Sequence, residues 1–179
     1  MLIKILPGLA ILLVLLVVVI ATRTGTFHYT RSLGIAAPPE VLFAQVNDLH
    51  KFQDWNPWSK IDPAAVMTYT GPASGVGSAY SWAGNNEVGE GTMTFVETNP
   101  GELVRARMDF RKPFAATNTV DFTFKPEGNH TVVTWSMYGP NNFMGKAIGL
   151  FIDCDKMCGD QFAKGLATLK SLAESAPGA

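Results

Sequence analysis

The chain has 179 residues, 14 Lys+Arg against 15 Asp+Glu and a formal net charge of -1, with a pI near 6.3. That balance argues against a nucleic-acid partner, which selects a basic face. With 47% hydrophobic and 16% charged residues the chain is not disordered, and two cysteines can build neither a disulfide scaffold nor a four-cysteine zinc site.

The length predicts one domain with room for an appendage. Ile5 to Ala21 carries no charge and is dominated by Leu, Val and Ile; Lys4 precedes it and Arg23 follows it. As a helix, residues 5–21 reach about 26 Å, thin but usable against a hydrocarbon core of about 30 Å. The pattern predicts a single-pass membrane anchor over residues 1–23. Two other readings remain open. Val19-Ile20-Ala21 loosely fits the cleavage site of a removed signal peptide, and a buried core helix would also be apolar, although it would normally show a polar face. Lys4 on one side against Arg23 and Arg31 on the other hardly fixes orientation. A short amino-terminal side weakly favours an extracytoplasmic domain. The joint Thr22–Gly25 is short, so the domain is expected close to the bilayer.

Residues 24–179 are predicted to form one folded unit. Phe27, Tyr29, Leu33 and Ile35 share one parity, which predicts a strand over 27–35. Pro38-Pro39-Glu40 opens a short helix carrying Val41, Leu42, Phe43 and Val46. Residues 47–63 are aromatic and turn-rich. Strands are then expected over 66–70, 78–83, 88–97, 103–110, 117–125 and 131–138. The clearest is 103–110, where Val104, Ala106, Met108 and Phe110 alternate with Arg105, Arg107 and Asp109, one face buried and one wet. After Gly139-Pro140 the period changes. Met144, Ile148, Phe151, Asp155, Cys158, Phe162, Leu166, Leu169 and Ala173 recur every three or four residues, predicting one helix of roughly 30 residues that ends before Pro177. Short connections make the last six strands an antiparallel meander. The expected fold is α+β, a curved sheet of about seven strands around a long C-terminal helix, whose concave aromatics can line a cavity.

Four strings carry a resemblance to a known family: Ile35-Ala36-Ala37-Pro38-Pro39-Glu40-Val41-Leu42-Phe43, Trp55-Asn56-Pro57-Trp58, Gly89-Glu90-Gly91-Thr92-Met93-Thr94, and Asp155-Lys156-Met157 with Gly165-Leu166-Ala167-Thr168-Leu169-Lys170. The chain resembles the START-like superfamily, also called SRPBCC, over about residues 24–174, and within it the polyketide cyclase/dehydrase branch. The resemblance implies the helix-grip fold and a cavity for a hydrophobic small molecule or lipid. Other branches are cyclase/dehydrase enzymes or co-chaperone-like interaction modules. None of the four strings is a catalytic signature.

The expected ligand-binding residues are Trp55, Trp58, Tyr69, Tyr80, Trp82, Phe110, Phe114, Trp135 and Met137, from their number and inward parity, together with Phe151 of the helical stripe, with Trp55 and Trp58 as a lid or membrane-facing lip. Arg31 shares the inner parity of Tyr29 and Leu33 and can pair with Asp155, as a polar anchor at the cavity mouth or as a plain structural ion pair. An enzyme would need an acid or base, for which Asp155, Glu90 and His50 are the candidates. Each has a simpler reading. Asp155 can sit at a solvated opening. Glu90, between two glycines, has the outward parity unless a bulge reverses it. His50 can be an interfacial or capping residue. Cys154 and Cys158, four apart on a helix, suit small buried residues better than a disulfide. No histidine spacing supports a metal, no phosphate-binding motif occurs in Gly71–Gly77, and no cofactor is expected.

Overall fold

Seven strands form where the sequence alternates. The computed structural model describes residues 2–175, and within the first helix it describes side chains at residue 8 and from residue 10 onward. The strands are β1 (Thr26–Ile35), β2 (Val66–Thr70), β3 (Ala79–Ala83), β4 (Glu90–Asn99), β5 (Leu103–Lys112), β6 (Ala116–Glu127) and β7 (His130–Pro140). They make one antiparallel sheet in the order β1-β7-β6-β5-β4-β3-β2. The six later strands are the expected meander, and β1 closes onto β7 with Thr26 opposite Pro140 and Ile35 opposite Thr131. Val104, Ala106, Val120, Phe122, Val133 and Trp135 are almost fully buried on the concave face.

Helix α1 spans Leu2–Thr22 and α2 spans Pro39–Val46, with Pro39 in its first turn. Residues 47–63 hold more regular structure than their turn-rich composition predicted. Asp48 accepts from the amides of His50 and Lys51 and caps α3 (Leu49–Trp55); Asn56 accepts from the amide of Trp58 and opens a 3-10 turn over Pro57–Lys60. Asx caps of this kind satisfy the first orphan N–H groups of a helix.

The single C-terminal helix expected from Met144 onward is broken. It forms as α4 (Phe143–Ile148) and α5 (Cys154–Glu174). The physical reason is a new start at Asp153, whose carboxylate accepts from the amide of Lys156 and competes with helix continuation. The break turns Phe151 out of the apolar stripe, to 83% exposure. The stripe proper is Phe162, Leu166, Leu169 and Ala173, all buried against the sheet.

Beyond Ile20, the described α1 side chains are exposed. The hydrophobic core cluster runs from Ile35 to Ala173, and among the described α1 side chains Ile20 alone is buried. Among the described residues no helix is long and apolar enough to cross a membrane. The fold thus does not support the expected transmembrane helix.

Candidate functional site

The concave face does not fill completely. A cavity of about 220 Å³ lies between the sheet, α5 and the α3–3-10 segment. β3 supplies Tyr80 and Trp82, β5 Met108 and Phe110, β6 Val120, and β7 Trp135 and Met137; α5 adds Cys158 and Phe162. Phe52, Asn56 and Trp58 close the side opposite the sheet, and the exposed Glu87, Lys112 and Pro113 mark the mouth.

Aromatic packing sets the walls. The Trp135 ring stacks on Phe162 at 4.5 Å with 13° between planes, and meets Trp55 and Trp58 edge-on at 5.5 and 5.8 Å. Such pairs add about 0.5–1.5 kcal/mol each beyond their buried area. Two glycines make room for the tryptophans. An added Cβ at Gly165 would lie 2.8 Å from Cζ3 of Trp135 and 3.1 Å from Cδ of Pro57; one at Gly91 would overlap Cη2 and Cζ2 of Trp82. The Trp82 indole N–H donates to the Val88 carbonyl at 3.0 Å, fixing the ring at the cavity wall. The Trp135 indole N–H is buried without an acceptor.

The cavity is electrostatically quiet. Burial pushes the Tyr80 phenol well above its usual range, so it stays protonated. Burial, helped by Cys154, pushes the Cys158 thiol up to about 11, which leaves no thiolate at neutral pH. The mouth carries the charge. Lys112 donates to the Glu90 carboxylate at 2.6 Å.

Of the residues expected to bind ligand, Trp58, Tyr80, Trp82, Phe110, Trp135 and Met137 line this cavity. The other five stand elsewhere. Trp55 lies in the packed layer behind the wall, its indole N–H donating to the Gln45 carbonyl at 3.3 Å. Tyr69 stacks on His50 at 3.9 Å beside a separate shallow pocket. Phe114 is exposed in the β5–β6 turn, and Phe151 in the α4–α5 break. Arg31 pairs with Asp155 through both carboxylate oxygens at 3.2 Å and lies over Gly159, where a Cβ would overlap the guanidinium. Hydrogen bonding to Asp155 raises the Arg31 pKa.

None of the acid/base candidates reaches the cavity. Asp155 is exposed on α5, His50 is exposed on α3, and Glu90 is paired at the sheet end, where β4 has a register shift at Glu90/Gly91. Among the described residues no three His, Cys, Asp or Glu side chains are grouped to hold a metal. Among the other lining residues, two kinds stand out. Met108, Val120, Cys158 and Phe162 have the inward parity or the helical stripe position and were legible. Glu87, Val88 and Pro113 come from turns, which carry no periodic signal, and Lys112 is the last residue of β5.

A family model described as polyketide cyclase/dehydrase and lipid transport matches residues 26–174. No curated protein matches the chain at a significant level. Among solved structures, protein CV1439 from Chromobacterium violaceum is similar at 16% identity and a TM-score of 0.59, covering 85% of this chain and 99% of that one. The Aha1 dimer protein from Colwellia psychrerythraea is similar at 19% identity and a TM-score of 0.60, covering 85% and 99%. The di-domain ARO/CYC protein StfQ from the steffimycin biosynthetic pathway is similar at 10% identity and a TM-score of 0.62, covering 87% of this chain and 53% of that one. At these identities the likeness is one of fold.

Proposed function

Since the chain belongs to the polyketide cyclase/dehydrase and lipid transport family, we propose that it is a binding protein for a small, ring-bearing apolar molecule, tethered to a membrane through α1. The observation that carries the reading is the aromatic cavity of about 220 Å³. An apolar cavity of about 150 Å³ holds benzene, so this volume suits a bicyclic molecule or a short acyl segment and is small for a whole diacyl lipid. The tether rests on the uncharged run Ile5–Ala21 of the sequence.

The cyclase/dehydrase reading is weaker. Asp155, Glu90 and His50 do not line the cavity, its thiol is held protonated, and Glu87 and Lys112 stand at its mouth rather than among the buried aromatic walls. Titration of residues 24–179 with 1-naphthol, followed by tryptophan fluorescence, tests the binding reading. Saturable quenching at one equivalent supports it. No change up to millimolar naphthol removes it.

A further inference from the structure

The sheet has two unlike ends. The register places Thr26, Pro140, Ala116, Phe110, Glu90, Ala83 and Val66 at one of them. The cavity mouth, with Glu87, Lys112 and Pro113, opens at this same end. So does the exit of α1. The Asn141 amide donates to the Gly25 carbonyl at 2.8 Å, the Lys146 ammonium donates to the Ala21 carbonyl at 3.3 Å, and α4 packs on α1.

The exposed phenylalanines follow that polarity, although Val41 and Leu172 are exposed toward the other end. Phe114, Phe143 and Phe151 are the exposed phenylalanines among the described residues, at 48%, 51% and 83%. All three belong to this end, Phe114 in the β5–β6 turn and the other two in the α4–α5 segment. Met144 and Ile152 are exposed beside them. The opposite end is made of the turns near Gly71–Gly77, Pro100-Gly101 and Gly128-Asn129, with Val76 as its exposed apolar residue in those turns.

We propose that this end is a bilayer-docking rim, and that the cavity mouth opens onto the membrane surface beside α1. The inference rests on the tether reading and adds to it a face, an orientation and a route. The occupant is a lipid surface, for reasons of continuity. The exposed apolar column of α1, Ile11 to Val19, ends where α1 packs on α4, and Phe114 follows the mouth residue Pro113 while Phe143 and Phe151 lie on the same end. Phenyl rings are favourable at the interface of a bilayer, and Arg23 and Lys146 at the same level suit anionic headgroups. A ligand could then pass between lipid and cavity without its apolar rings crossing bulk water, a transfer that costs about 25 cal/mol per Å² of apolar surface exposed.

The test uses the full chain in vesicles of phosphatidylcholine and phosphatidylglycerol that contain a nitroxide-labelled phosphatidylcholine. Reporter cysteines are placed singly by Phe151→Cys, Phe114→Cys and Val76→Cys in a Cys154→Ser, Cys158→Ala background, and each carries one fluorophore. The rim predicts that the reporters at 151 and 114 are quenched several-fold more than the one at 76. Equal quenching at the three positions in a chain that floats with the vesicles overturns the rim and leaves the tether standing. A chain that does not float overturns tether and rim together, while naphthol binding by residues 24–179 remains a separate result. Two reporters on separate elements keep the test decisive if one variant folds poorly.

Discussion

Gly91→Ala is the sharpest probe of how the cavity wall is built. Gly91 lies opposite Trp82 across the β3–β4 ladder, and its missing Cβ is the space the indole occupies. An alanine there would overlap Cη2 and Cζ2 of Trp82 and stand 2.8 Å from the Asp109 carbonyl oxygen, where ordinary contact begins near 3.4 Å. The carbonyl belongs to the β5 ladder and yields little, so the indole has to move. Its N–H is held by the Val88 carbonyl, so the ring can only tilt at the expense of that bond. Overpacking of this kind costs about 1–3 kcal/mol. Taking about 2 kcal/mol, and about 2–4 °C per kcal/mol for a domain of this size, Tm should fall by roughly 4–8 °C. Naphthol affinity should fall with it, since Trp82 is a wall of the cavity. Gly25→Ala is the control, because nothing lies within 4 Å of its added Cβ. Differential scanning calorimetry of both variants checks the argument. A Gly91→Ala Tm within about 1 °C of the control, with unchanged naphthol binding, would refute it.

Three further predictions follow from the same geometry. The Cys158 pKa rises from 9.0 to about 11 in the fold, so the folded chain holds more protons than the unfolded one in that window. Its contribution is full below pH 9 and is lost as pH rises through 11, on the order of 3 kcal/mol at about 1.4 kcal/mol per pH unit. Denaturant midpoints measured between pH 8 and 11 should therefore fall less for Cys158→Ala than for the natural chain, and parallel curves would count against it. On the outer face, Arg105 donates to both Asp121 oxygens at 2.8 and 2.9 Å and to Glu97 at 2.8 Å, and Tyr138 donates to Asp121 at 3.1 Å. Arg105→Met should cost about 1–3 kcal/mol by urea unfolding, because Asp121 loses its partner, and should leave naphthol binding intact. Asp155→Asn weakens the pair with Arg31, and Asp155 does not line the cavity; it should leave naphthol affinity unchanged by titration, and a large loss would place Asp155 in the binding machinery.

The strands were legible because alternation is a property of single residues: inward Val104, Ala106 and Met108 needed no knowledge of their partners. The position of β1 beside β7 was not, since nothing local in Thr26–Ile35 names its neighbour. Helix α3 escaped because its seven residues are too few to establish a period, although Asp48 ahead of Leu49 and Phe52 was its signal. The α4–α5 break escaped for the opposite reason. The apolar stripe continued through Phe151 and Asp155 and hid the new cap at Asp153. In the site, parity found the walls contributed by β3, β5 and β7. It also selected Tyr69 and Phe114, since parity says which side a residue faces and not how far along the sheet the cavity extends, while Phe151 came from the stripe that the α4–α5 break interrupts.

The central claim is that the aromatic cavity holds one apolar molecule. The most direct measurement is native mass spectrometry of residues 24–179 after exposure to a cellular lipid extract, run beside a Val120→Phe variant that narrows the cavity. The account predicts a single defined mass adduct, stoichiometric with the protein and lost in Val120→Phe. A bare protein in both samples, or an adduct that Val120→Phe leaves untouched, would contradict it.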